Sequence, residues 1–151
     1  MAEIAFYHLL NLPLEKVLPV LLKKTLDAGK RAVVITGTTE RLEGLSSLLW
    51  TAEPDSWIPH GSKKDGWSEH QPIWLTVHME NPNDATFLFL TDGTSVESLE
   101  GFERCFDLFD GSNEDSIQSA RNRWKILKEA GHRQTYWQQN KQGIWEEKAM
   151  A

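Results

Sequence analysis

Between residues 3 and 50 an apolar run of strand length is twice followed by leucines at helical spacing. That alternation restricts the chain to an α/β fold on a mainly parallel sheet. EIAFYHLL, residues 3–10, is short, apolar and bounded by Asn11 and Pro13, as expected for a strand buried on both faces. Leu14, Val17, Leu18, Leu21, Leu22 and Leu26 then recur at helical spacing, so a helix ends near Ala28, with Pro19 in its first turns or at a kink. RAVVITG, residues 31–37, carries the β-branched run of a central strand. TTERLEGLSSLLW, residues 38–50, sets Leu42, Leu45, Leu48 and Leu49 on one helix face, with Thr38 or Thr39 as N-cap.

Residues 51–71, TAEPDSWIPHGSKKDGWSEHQ, mix Pro, Gly, Ser and charge over a length that suits a functional loop better than a connector. PIWLTV and ATFLFLT, residues 72–77 and 85–91, are further strands around a turn-rich HMENPND. FERCFDLFD, residues 102–110, is a shorter strand or a helix-to-strand passage. Asp92 to Asp115 holds eight acidic residues against Arg104 alone, which suggests a solvated acidic face. A helix follows from Asp115 to Ala130, capped by Ser112 or Asn113 and stopped at Gly131. TYWQQNKQGIWEEK reads as a final extended segment or hairpin.

At 151 residues one domain is expected over residues 1–151, with 133–151 as a C-terminal extension packed on it or partly flexible. A formal net charge of -6 argues against broad adhesion to nucleic acid, so any DNA contact should be local or indirect. The single cysteine, Cys105, excludes an internal disulfide and a thiolate metal cluster; its setting in RCFDLF suggests a small apolar core residue in a reducing cytoplasm. MAEIAFYHLL lacks the basic start of a secretory leader, and no window approaches a membrane span, so no membrane partner is expected.

The sequence carries few signatures of catalytic or cofactor chemistry. LLNLPLEK after the first strand has neither a GxxxxGK[ST] nor a GxGxxG pattern, and TGTTER, residues 36–41, fits an ordinary helix cap better than a phosphate cradle. His8, His60, His70, His78 and His132 lack metal-ligand spacing, so neither metal nor cofactor is expected, and only His60 has a loop context to pursue. No serine sits in GxSxG. Asp107, Asp110, Glu114 and Asp115 read as surface acid and helix caps.

Two features remain. The first is Trp57-Ile58-Pro59-His60 with Trp50 just before it, read either as a lid on the sheet or as a partner surface. The second is SARNRWKILKEAGH, residues 119–132. On a helix, Arg121, Trp124, Lys125 and Lys128 share one face and Arg123 points elsewhere. That face is either a solvated one whose tryptophan rests on the core, or a socket for an aromatic side chain with cations pairing carboxylates.

Taken in order, AFYHL, GKRAVVIT, the helix ending in LLW, DSWIPHG, PIWLTV, FLFLTDG, FDLFDG and ARNRWKILKEAGH resemble the chi subunit family of bacterial DNA polymerase III. The resemblance implies a three-layer α/β domain, nucleotide-binding-like but without a phosphate loop. It implies a non-catalytic accessory subunit of the replicase, coupled to the clamp loader and acting in DNA replication in the bacterial cytoplasm, at the nucleoid-associated replisome. It further implies a site for the acidic, phenylalanine-terminated tail of the single-stranded-DNA-binding protein at Arg121, Trp124, Lys125 and Lys128, with Phe109 as an apolar wall. Family members carry a basic residue one turn before the Arg where this chain has Ile117. A second surface at Trp50, Trp57, Ile58, Pro59 and His60 would take a psi-like or helicase-like partner, leaving contact with DNA mostly indirect. The rivals are an α/β nucleotide-binding or hydrolytic enzyme using Gly37 to Thr39 and Thr91 to Thr94, and a direct binder of single-stranded DNA.

Overall fold

A computed structural model describes residues 2–51 and 58–149. Its core is one sheet in the order β3-β4-β2-β5-β6-β1-β7-β8. The strands are β1 Glu3–Leu9, β2 Ala32–Ile35, β3 Gly61–Ser62, β4 Ile73–Thr76, β5 Phe87–Leu90, β6 Arg104–Asp110, β7 Arg133–Gln139 and β8 Trp145–Lys148. All neighbours run parallel except the terminal hairpin of β7 and β8. Among the described residues the α-helices are α1 Leu14–Asp27, α2 Thr39–Thr51 and α3 Glu114–Glu129.

The period of two along the strands divides the apolar residues into two cores. On one face Val34, Phe89, Phe106 and Ala5 meet Val17, Leu18 and Leu22 of α1 and Leu45 and Leu49 of α2. On the other, Phe6, Val33, Leu88 and Phe109 meet Ala120, Ile117, Trp124 and Leu127 of α3, together with Leu99 and Phe102 from the β5–β6 connection. This is the three-layer arrangement expected.

Local signals set the boundaries. Thr38 caps α2 by accepting from the Arg41 N–H at 3.1 Å, and Asn113 caps α3 by accepting from the Ser116 N–H at 3.1 Å. Pro19 is accommodated inside α1. FERCFDLFD resolves to strand, and Cys105 lies 1% exposed in it, where burial pushes the thiol well above its ordinary value.

Two expectations need correction. The 51–71 segment is more than a loop, because Gly61–Ser62 adds β3 to the sheet edge and Ser68–His70 forms a 3₁₀ turn. The acidic stretch is not wholly solvated, because Asp107 is 2% exposed. Its carboxylate accepts from Arg123 Nε at 2.6 Å and Nη2 at 3.0 Å, while Arg123 Nη1 donates to Ser119 Oγ at 2.8 Å. Burial raises the Asp107 carboxyl above its ordinary value, with the Arg123 hydrogen bond and charge pulling the other way. Arg123 does diverge from the Arg121 face, as the helical spacing requires, and it pins α3 to β6.

Candidate functional site

The carboxyl ends of the strands are where a sheet of this kind holds a nucleotide. A cleft of about 710 Å³ opens there, but Glu15, Asp92, Asp110 and Asp115 line it against the single cation Arg41. Arg41 is itself committed, to Glu15 at 2.8 Å and Asp92 at 3.2 Å. The Gly37 N–H, which a phosphate would need, already donates to Asp92 Oδ2 at 3.1 Å. An internal carboxylate therefore occupies the anion position in TGTTER, and the negative lining opposes a second one.

The α3 face is different. Arg121 projects from α3 toward the ends of β1 and β7, where its charge acts on His8 and Tyr136. The His8 imidazole Nδ1 and the Tyr136 hydroxyl lie 2.5 Å apart. Beneath them the Phe109 ring stacks on Tyr136 at 6.3 Å and 16° and meets His8 at 5.2 Å. Phe109 is 2% exposed, so it is the floor of this group rather than an open wall. Arg121 Nε is buried yet finds no acceptor among the described residues. A buried donor without a partner costs about 1–3 kcal/mol, more on a charged group, unless a ligand completes it.

Trp124 sits one position off this axis. Its ring is half-buried and meets Phe6 edge-on at 5.2 Å, and its carbonyl accepts from Gln134 Nε2 at 2.9 Å. Lys125 and Lys128 are exposed on the outer side of the helix. The helix face therefore divides into a guanidinium whose charge reaches His8 and Tyr136, a tryptophan shared with the core, and two solvated ammonium groups. His8 and Tyr136 were not identifiable from sequence, because only strand pairing across residues far apart in the chain brings them within reach of the Arg121 charge.

Gly111 holds this arrangement together. Its N–H donates to Leu9 O at 2.7 Å, and a Cβ there would overlap His8 Cδ2 and Nε2. Burial is the first cause that lowers the His8 pKa from 6.5, with the Arg121 charge adding to it and Gly111 and Asp110 opposing. A histidine depressed in the fold contributes stability that is present above its unfolded value and lost as pH falls through 6.5 toward the folded value. The urea midpoint should therefore fall between pH 7.5 and 5.5 by more in the wild type than in His8→Gln; equal falls would exclude His8 as the titrating group.

At the opposite edge of the sheet, Trp50 is 52% exposed and its ring lies 4.2 Å from that of His60. His60 is 3% exposed, with Nδ1 2.8 Å from Ile58 O and Nε2 3.0 Å from Ser46 O. Ile58 is 1% exposed and Pro59 half-buried, so this end of the segment closes over the sheet while Trp50 faces solvent. Trp57 lies outside the described residues.

The family model described as DNA polymerase III chi subunit, HolC, matches residues 1–135. The chain belongs to the chi subunit family. The "Probable DNA polymerase III subunit chi" of Rickettsia prowazekii (strain Madrid E) is 31% identical over 99 residues, covering 66% of this chain and 60% of that relative. The family is that of a subunit of DNA polymerase III, and the chain spans about 60% of the length of the curated relative it matches. Arg121, Trp124 and Lys125 fall inside the matched span, whereas Tyr136, Trp137 and Trp145 lie past its end. No helix among the described residues is long and apolar enough to cross a membrane.

Proposed function

We propose that this chain is a non-catalytic subunit of the bacterial replicase that docks the acidic, phenylalanine-terminated tail of the single-stranded-DNA-binding protein and links it to the clamp-loader assembly. The observation that carries this reading is Arg121, whose buried Nε finds no acceptor among the described residues and which lies one helical turn from the half-buried Trp124 on α3. A terminal carboxylate pairs with the guanidinium, and the phenylalanine ring of the same residue packs against the half-buried Trp124. Lys125 and Lys128 meet the preceding acidic residues in solvent, where each pair adds little and salt screens it. Ile117, half-buried in the first turn of α3, supplies no charge, so more of the affinity rests on Arg121.

A labelled peptide ending in acidic residues and phenylalanine should bind with a micromolar dissociation constant. Losing a charge-assisted hydrogen bond worth about 1.5–3 kcal/mol, Arg121→Ala should weaken it by at least about tenfold. Unchanged affinity in Arg121→Ala would remove the site, and no binding by the wild type would remove the function. We further propose that Trp50, Trp57, Ile58, Pro59 and His60 form the surface for a psi-like or helicase-like partner, on the strength of an indole left half in solvent beside a buried histidine.

A further inference from the structure

We propose that the sheet face of β1, β7 and β8 beside α1 is a stacking platform for single-stranded nucleic acid, distinct from the Arg121 site and independent of the tail-docking reading. Three half-buried rings form it. Tyr7 of β1 stacks on Trp137 of β7 at 6.5 Å and 19°, and meets Trp145 of β8 edge-on at 5.0 Å. On either side lies a concavity. One, of about 310 Å³, runs along α1 with Lys16 and Lys24 at its rim and no acidic residue in its lining. The other, of about 390 Å³, carries Arg104 and Arg133 against Glu3 alone, which Arg133 engages at 3.5 Å. Tyr7 and Trp137 line both, so the rings form the ridge between two cationic hollows.

The cations are available. Lys16, Lys24 and Arg104 form no ion pair among the described residues, and Arg104 lies over Phe87 and Phe106 at 5.6 and 4.8 Å, which holds it flat to the sheet. Lys16 and Lys24 stand eight residues apart on α1, about 12 Å along the helix. Rings flanked by separate positive groups match a strand of unpaired nucleotides, whose bases stack while phosphates run past on both sides. A duplex hides its base faces and could not use the rings. A second copy would bring the same cations to a two-fold contact. Glu147, across from Trp137 on β8, bounds the patch. Trp137 and Trp145 lie beyond residue 135, where the match to the chi family model ends, so the platform would give the C-terminal hairpin a role of its own.

The full chain titrated with labelled oligothymidine should show quenched tryptophan fluorescence and rising anisotropy. With about four phosphates neutralised, log affinity should fall against log salt with a slope of about −3. Lys16→Glu/Lys24→Glu should weaken binding at least tenfold with an unchanged melting temperature, and Trp137→Leu should weaken it by about tenfold. Arg121→Ala should leave it unchanged. Because both lysines are exposed, the lysine variant stays informative even if Trp137→Leu is unstable. Equal binding of duplex, a loss in Arg121→Ala instead, unchanged affinity in the lysine variant, or no binding at low salt would each overturn the proposal. So would a dimer in sedimentation that the lysine variant abolishes without any oligonucleotide binding, which would assign the face to a second copy.

Discussion

Arg123→Ala should destabilise the protein by about 3–5 kcal/mol, because it leaves the Asp107 carboxylate buried without its partner. In a chain of this size that corresponds to a melting temperature lower by roughly 10 °C. The cost belongs to the abandoned charge more than to the ion pair itself. Burial already outweighs the pull of Arg123 on the Asp107 carboxyl, whose pKa is raised. A carboxyl raised in the fold contributes stability below its unfolded value of 3.8 and loses it as pH rises through the folded value. Two further results follow. The deficit of Arg123→Ala should shrink as pH is lowered, since a protonated Asp107 needs no cation. Asp107→Leu/Arg123→Met should lie much closer to wild type than Arg123→Ala. A pH-independent deficit, or a double variant no better than the single one, would sink this account, and chemical denaturation across pH measures both. The pair fixes where α3 sits on β6 and so aims Arg121, two residues earlier, at His8 and Tyr136.

Gly111→Ala should lower stability by about 1–3 kcal/mol and also reduce tail-peptide binding by tenfold or more. The glycine is required for space. Its neighbours are the His8 imidazole and the Leu9 carbonyl, so an added methyl must push the ring away from Tyr136 or break the Gly111 N–H bond to Leu9. Either movement alters the His8–Tyr136 pair that the Arg121 charge reaches. His8→Ala in the same background frees the space, and should restore stability without restoring full peptide affinity. Normal stability in Gly111→Ala alone would show that the end of β6 yields cheaply, contrary to a strand fixed by both β1 and the α3 cap. Differential scanning calorimetry and the peptide titration read the two effects separately.

Much of this fold was legible because its signals are local. Apolar runs of β1, β2, β4 and β5, leucine spacing in α1 and α2, and caps at Thr38 and Asn113 all act within a few residues. The site was legible only in part. Arg121, Trp124 and Lys125 share a helix face by periodicity, but the side chains that the Arg121 charge reaches come from β1 and β7, more than a hundred residues apart in the chain. Asp107 was misread as a surface acid because one carboxylate in an acidic run looks like its neighbours; only the pleat of β6 turns it under α3 to meet Arg123. Residues 51–71 looked like loop because β3 is two residues long and exists only through its pairing with β4.

The sequence by itself determined the α/β class, the parallel core, the basic α3 face and the lack of a phosphate loop, since each follows from residue type at short spacing. Only the tertiary structure decided what that face confronts. Strand order brings His8, Phe109 and Tyr136 together within reach of the Arg121 charge, puts carboxylates into the cleft where a nucleotide would lie, and gathers Tyr7, Trp137 and Trp145 beside α1. Those meetings depend on which strands lie side by side, a matter of long-range packing that no local pattern encodes.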